Sequence, residues 1–199
     1  MAHPARPADP TAPNAAEVEA AYEATPPEMV AEILDGELFT MPRPRPRHAR
    51  SATRLVRQLG PFDDDPGDPG GWVLLAEPEL RLGPKPDRIA PDVAGWKRER
   101  LPPDVFDDAA PAAIVVPPDW VCEVLSERTE RIDRGKKMWI YRREAVGHVW
   151  LLSPSLETLE VYRLDGGRWV LVETYEGDAR VRAEPFEAIE LSLAALWAR

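Results

Sequence analysis

Asp119-Trp120-Val121-Cys122-Glu123-Val124-Leu125-Ser126-Glu127-Arg128-Thr129-Glu130-Arg131-Ile132-Asp133-Arg134-Gly135-Lys136-Lys137 is the stretch whose reading decides the fold. Its first half alternates as a strand does, so Asp119, Val121, Glu123 and Leu125 share one face. Its second half opens a helix. An apolar strand has no packing reason to carry Glu123 among Val121, Cys122, Val124 and Leu125. Burying an unpaired carboxylate is expensive, so such a residue is usually paired or bound to a metal. A second acid, Asp92, has a similar setting in Ile89-Ala90-Pro91-Asp92-Val93-Ala94. The pattern suggests two neighbouring strands that aim both carboxylates at one divalent ion, with Lys137 brought over them by the helix.

A chain of 199 residues, 44% of them hydrophobic, suits one domain with an ordinary core. The single cysteine, Cys122, excludes an intramolecular disulfide and a Cys-based zinc cluster. No apolar run approaches the roughly 18 residues of a membrane helix. The N-terminus lacks the apolar core of a secretory signal. These features point to a soluble protein of the reducing cytoplasm.

The net charge of −10 argues against a non-specific polyanion binder. Its distribution says more. Between Pro42 and Phe62 there are six arginines, Arg43, Arg45, Arg47, Arg50, Arg54 and Arg57, and no acid. From Glu127 to Arg143 seven basic residues stand against three acidic ones. An acidic chain can therefore present a local positive surface, although an ordinary solvated helix face gives the same pattern.

Residues 1–16, rich in Pro and Ala, read as a disordered tail, and 17–199 as the folded domain. Glu17 to Ala24 suits a short helix. Met29 to Met41 reads as a hairpin about Asp35-Gly36, a dipeptide suited to a tight turn. Pro42 to Arg47 reads as extended, and His48 to Leu59 as a helix. Gly60 to Gly71 is a loop, Trp72 to Leu82 one or two strands, and Arg88 to Trp96 the strand bearing Asp92. Lys97 to Pro118 is a long loop, of the kind that serves as a flap over a site or as a contact between copies. Trp120 to Leu125 is a central strand, Ile132 to Glu144 a helix ended by Gly147, and His148 to Leu152 a buried strand. Glu157–Leu164 and Trp169–Tyr175 form a hairpin, and a short strand and a last helix follow. This order predicts an α/β or α+β domain with a mixed central sheet flanked by helices. Strands 119–125 and 148–152 should be parallel across a right-handed crossover.

Hydrolysis of a phosphodiester needs a cation on the phosphate, an activated water and a stabilised leaving group. Magnesium takes oxygen ligands and keeps several waters, so one or two carboxylates suffice. Asp92 and Glu123 on neighbouring strands, about 5 Å apart, could hold it with the carbonyl of Val124.

The pattern Pro91-Asp92, Glu123-Val124-Leu125-Ser126 and Asp133-Arg134-Gly135-Lys136-Lys137 resembles a bacterial family of proposed restriction endonucleases with the PD-(D/E)XK nuclease fold. The similarity runs from about Met29 to Trp197. It includes Asp35-Gly36-Glu37-Leu38, His48 at a helix start, and the Tyr141 helix leading to Gly147 and Trp150. The resemblance implies a restriction-endonuclease-like core and a Mg²⁺ (or Mn²⁺) dependent endonuclease acting on nucleic acid, DNA in the first instance. It implies Asp92 and Glu123 as metal ligands. The general fold places a lysine two residues after the glutamate, where this chain has Leu125. The family moves that lysine to the next helix, at Lys137, with Lys136 the alternative one register away.

Glu37 is a further candidate acid, since nucleases of this fold often complete the site with a carboxylate from a nearby element. Arg45, Arg47, His48 and Arg50 are the candidates for meeting the phosphate backbone. Each also has an ordinary reading: Lys137 as an exposed partner of Asp133, Glu37 as a solvent-facing hairpin residue, His48 as part of the basic patch. Trp120 and Trp150 read as core. Related folds often pair as homodimers to cut both strands. The rival to a nuclease is a protein that keeps the fold for binding or regulation, without catalysis.

Overall fold

The computed structural model describes residues 14–63, 69–84 and 87–197. Most of the expected tail, and positions 64–68 of the expected loop, lie outside them. The elements are α1 (Ala15–Glu23), β1 (Met29–Leu34), β2 (Glu37–Pro42), α2 (Pro46–Leu59), β3 (Trp72–Ala76), β4 (Leu80–Leu82), β5 (Asp87–Ile89), β6 (Val93–Lys97) and β7 (Trp120–Val124). Then come α3 (Glu130–Ile132), a π-helical turn (Asp133–Lys137), α4 (Met138–Arg143), β8 (His148–Ser153), β9 (Thr158–Asp165), β10 (Arg168–Glu176), β11 (Arg180–Val181), β12 (Leu191–Ser192) and α5 (Leu193–Trp197).

Two sheets organise the chain. The larger has six strands in the order β10-β9-β8-β7-β6-β3, and only β7 and β8 run parallel. The smaller has four, in the order β2-β1-β5-β4. The alternation of β7 splits the core between its faces. Trp120, Cys122 and Val124 pack with Trp150, Phe186 and the apolar stripe of α2. Val121 and Leu125 pack on the other side, with Ile140 and Tyr141 of α4 and with Leu34 and Ile89 of the smaller sheet. Trp120 and Trp150 are core, as expected: they meet edge-on at 5.2 Å.

The hairpin β1–β2 forms as its turn dipeptide requires, with Asp35 at φ 54° and Gly36 at φ 77°. Other boundaries move. Helix α2 starts at Pro46 rather than His48, because proline is pre-organised for a first helical position. The expected strand 88–96 is two strands in two sheets, and Asp92 lies in the bend between them. Pro91 has no N–H to give a ladder, so the chain can change sheets there. The following helix begins at Glu130 and ends at Arg143, and Ala145, not Gly147, takes the left-handed conformation, at φ 57°. Gly147 serves a close approach instead: a Cβ there would lie 3.1 Å from the carbonyl oxygen of Asp119. The segment 97–118 packs along the smaller sheet. Ile114 exchanges backbone hydrogen bonds with Glu79 and Arg81, and the carbonyl of Val116 accepts from Trp96 Nε1 at 2.9 Å.

Helix α1, with Asn14 and Glu17 capping its start reciprocally, is tied to the smaller sheet by one guanidinium. Arg88 of β5 is buried and bonds Glu19 and Glu23 of α1 and Glu79, while its Cζ stands 4.4 Å from the Tyr22 ring centre. Replacing it, as Arg88→Met, should cost about 2 kcal/mol, less than a fully buried pair because Glu19 and Glu23 face solvent. Amide exchange should accelerate first in residues 15–23; uniform acceleration across the sheet would contradict this anchoring role.

Candidate active site

Several elements converge on one cavity of about 400 Å³. β7 supplies Glu123, which is 1% exposed. Val93 of β6 pairs with Cys122, so the next step along this antiparallel pair brings Asp92 opposite Glu123. Both carboxylates line the cavity. Asp92 Oδ2 accepts from the Val124 N–H at 2.7 Å, which ties the bend to the end of β7.

The helix supplies the amine. A four-residue step overshoots an α-helical turn by about 40°, and the wider π turn offsets that drift. Asp133, Lys137 and Tyr141 thus stay on one face, over Glu123. Lys137 Nζ lies 3.3 Å from Glu123 Oε2, 3.4 Å from Asp133 Oδ1 and 3.0 Å from Glu32 Oε1 of β1. The hydroxyl of Tyr141 donates to Glu123 Oε1. π turns inside helices are frequent at functional sites.

The electrostatics follow from crowding. Burial, and then Asp133, Asp92 and Glu32, push the Glu123 carboxyl well above its ordinary range despite Lys137 beside it. Burial likewise raises Asp133, against Lys137 and the Thr129 hydrogen bond. Burial disfavours the charged Lys137 amine, but Glu123, Glu32 and Asp133 outweigh it and hold the amine charged well above the usual lysine range. His48 of α2 stands with Nε2 3.4 Å from Asp92 Oδ2. Burial works against its protonation, and the hydrogen bond and charge of Asp92 reverse that and raise its pKa.

The rim is cationic: Arg43, Arg45, Arg47 and Arg128 all line the cavity. Arg47 donates to the carbonyl of Pro154, and Arg43 to that of Pro27 at 3.1 Å. Arg50 is exposed and does not line the cavity. Nor does segment 97–118, so the flap expected there does not cover it.

Asp92, Glu123, Lys137, Val124, His48, Arg45 and Arg47 therefore gather at one place. Glu37 does not. It is exposed at the start of β2 and pairs with Lys136, Nζ to Oε2 3.1 Å. Of the two lysines, Lys136 pairs with Glu37 at the surface and Lys137 lines the cavity. The acid brought in from a nearby element is Glu32. It carries the same signal that marks Glu123, a carboxylate inside the apolar run Val30-Ala31-Glu32-Ile33-Leu34. Tyr141 gave no signal beyond its apolar helix face.

The donor set is all oxygen, which suits a hard cation such as Mg²⁺ or Mn²⁺. Among the described residues no three His, Cys, Asp or Glu side chains stand close enough to enclose a cation on their own. Mg²⁺ does not require that, since it keeps several waters. Asp92 and Glu123, both lining the cavity, fit that demand.

The mixed sheet flanked by helices is that of a nuclease-fold protein. A sequence model of the family Uma2, described as "Putative restriction endonuclease", matches residues 16–195, and the chain belongs to that family. Among solved structures, a crystal structure described as that of a "putative nuclease belonging to DUF820" from Anabaena variabilis is similar, with TM-score 0.68 and 19% identity over 90% of this chain and 96% of that one. That likeness concerns the fold. No curated protein matches the chain. Among the described residues no helix is long and apolar enough to cross a membrane.

Stability without metal should depend on pH in one direction. Folding raises the pKa values of Glu123 and Asp133 above those of the unfolded chain. Between the unfolded and folded values the native state therefore binds more protons, and stability falls as pH rises through that window. Urea unfolding should show less stability at about pH 8 than at about pH 5. Glu123→Gln should flatten the slope; an unaltered slope would contradict the assignment of this titration to Glu123.

Proposed function

We propose that the chain is a divalent-metal-dependent nuclease that hydrolyses phosphodiester bonds, with DNA as the substrate. The observation that carries this reading is the meeting of Asp92, Glu123 and a buried Lys137 in one cavity with an arginine rim. Asp92, Glu123 and the carbonyl of Val124 would hold Mg²⁺ or Mn²⁺. The bound ion supplies neutralisation of phosphate charge and a lowered pKa for its water. Lys137 offers a fixed positive charge beside the reacting phosphate. His48 orients Asp92, and Arg45 and Arg47 take the flanking phosphates, with Arg50 further along α2. The protein would work in the cytoplasm. A homodimer would give the two strands of a duplex one cavity each.

A second reading is a binding or regulatory protein without catalysis. The observation favouring it is that Glu123 is already committed to Lys137 and Tyr141. Incubation with supercoiled plasmid in Mg²⁺ or Mn²⁺ separates the two. The wild-type chain should cut. Asp92→Asn and Glu123→Gln should each lose about 3 kcal/mol of rate enhancement, roughly a hundredfold. Plasmid bound but never cut, with either ion, supports the silent protein. Arg45→Ala should weaken binding and reduce the slope of log affinity against log salt by about one unit; an unchanged slope would remove Arg45 from the interface.

A further inference from the structure

Glu32 stands outside the acid pair that would hold the ion, yet it is among the most constrained side chains in the molecule. It is 1% exposed and lines the cavity from β1, in the smaller sheet. Its Oε1 does two jobs. It forms the shortest of the three ion pairs of Lys137, at 3.0 Å. It also accepts the N–H of Ala90 at 2.9 Å, two residues before Asp92. One oxygen thus fixes the helix-borne amine and the backbone that leads into the Asp92 bend. The other, Oε2, is buried and has no hydrogen-bond partner among the described residues. A buried acceptor left open is costly unless the working state uses it.

The reason for such a residue lies in β7. Position 125 is Leu, so the amine arrives from a separate helix rather than from the strand that carries Glu123. Nothing in the strand geometry then fixes lysine against glutamate. In the geometry described, Glu123 Oε2 is a partner of Lys137. A cation drawn onto Glu123 competes for that oxygen. The amine needs a counter-charge that stays with it, and Glu32, on β1 rather than beside Asp92 or Glu123 in the chain, provides one.

Resting on the nuclease reading above, we propose that Glu32 is a positioning residue: it is the permanent counter-ion of Lys137, holding the amine over the cavity when Glu123 is given to the cation. Oε2 then accepts the ammonium N–H hydrogen bond that Glu123 gives up, and the amine stays charged. Glu32 is not itself a ligand of the ion, and its loss acts through Lys137.

The test uses the full chain and three readouts on Glu32→Gln: Mn²⁺ affinity by calorimetry, the ¹⁵N-ammonium resonance of Lys137 without metal, and kcat and KM on plasmid. We expect Mn²⁺ affinity to be retained while Glu123→Gln loses more than about tenfold. We expect the Lys137 resonance to shift or vanish through faster exchange. kcat should fall by about 10- to 100-fold with KM unchanged. Should Glu32→Gln not fold, Glu32→Asp keeps the charge, withdraws it by one methylene and carries the same readouts and expectations. Loss of Mn²⁺ affinity matching that of Glu123→Gln overturns the proposal, because Glu32 would then be a ligand. An unshifted resonance with full kcat overturns it as well. If the wild-type chain cuts nothing, the nuclease reading fails, and the Mn²⁺ and ammonium arms still decide the role of Glu32.

Discussion

One ammonium among three carboxylates is the constraint on which the site depends. Lys137 is 5% exposed, and Glu32, Glu123 and Asp133 approach it from β1, β7 and its own helix. Charges out of water are tolerated only when each has a partner with good geometry. The three elements are therefore fixed relative to one another by electrostatics as well as by packing. The acids also outnumber the amine. Burial, and then this excess, raises the Glu123 and Asp133 carboxyls, and the excess is the condition under which a further cation is favourable.

The two sheets serve that constraint. The larger places Glu123 at the end of its one parallel pair, and the smaller brings Glu32 across the cavity. The chain passes between them at Ala90-Pro91-Asp92, so Asp92 stands where both sheets end. His48 reaches it from α2 and the backbone of Val124 from β7. The negative overall charge and the cationic mouth coexist because most of the rim arginines fall on one short extended run and the helix after it, with Arg128 added from the turn after β7. Several of them also cap loose ends: Arg43, Arg47 and Arg54 donate to carbonyls of Pro27, Pro154 and Ala195. Their charge stays at the surface while their hydrogen bonds fasten α2 to its neighbours.

Much of this was legible in residue pattern. A carboxylate inside an apolar run is a local anomaly, and it located Glu123 and Asp92 without any knowledge of the fold. Period-two alternation gave the faces of β7, and Asp35-Gly36 gave the hairpin. Lys137 followed from the family resemblance, not from spacing, because Leu125 breaks the simple motif. What failed was long-range. Asp92 looked like a strand residue because its flanks are apolar on both sides, yet those flanks belong to two sheets. Glu37 is the acid that the resemblance offers from this hairpin, but which face of the hairpin meets the helix is a tertiary fact, and the structure puts Glu32 there. The π turn gave no readable signal, since Asp133 and Lys137 have α-helical spacing.

The most direct test is a crystal of the chain soaked in Mn²⁺ and measured at the manganese edge. A single anomalous peak about 2.1 Å from oxygens of both Asp92 and Glu123, with Lys137 still on Glu32, is the expected result. Manganese bound elsewhere, or no peak at saturating Mn²⁺ in a crystal that leaves the cavity open, would contradict it.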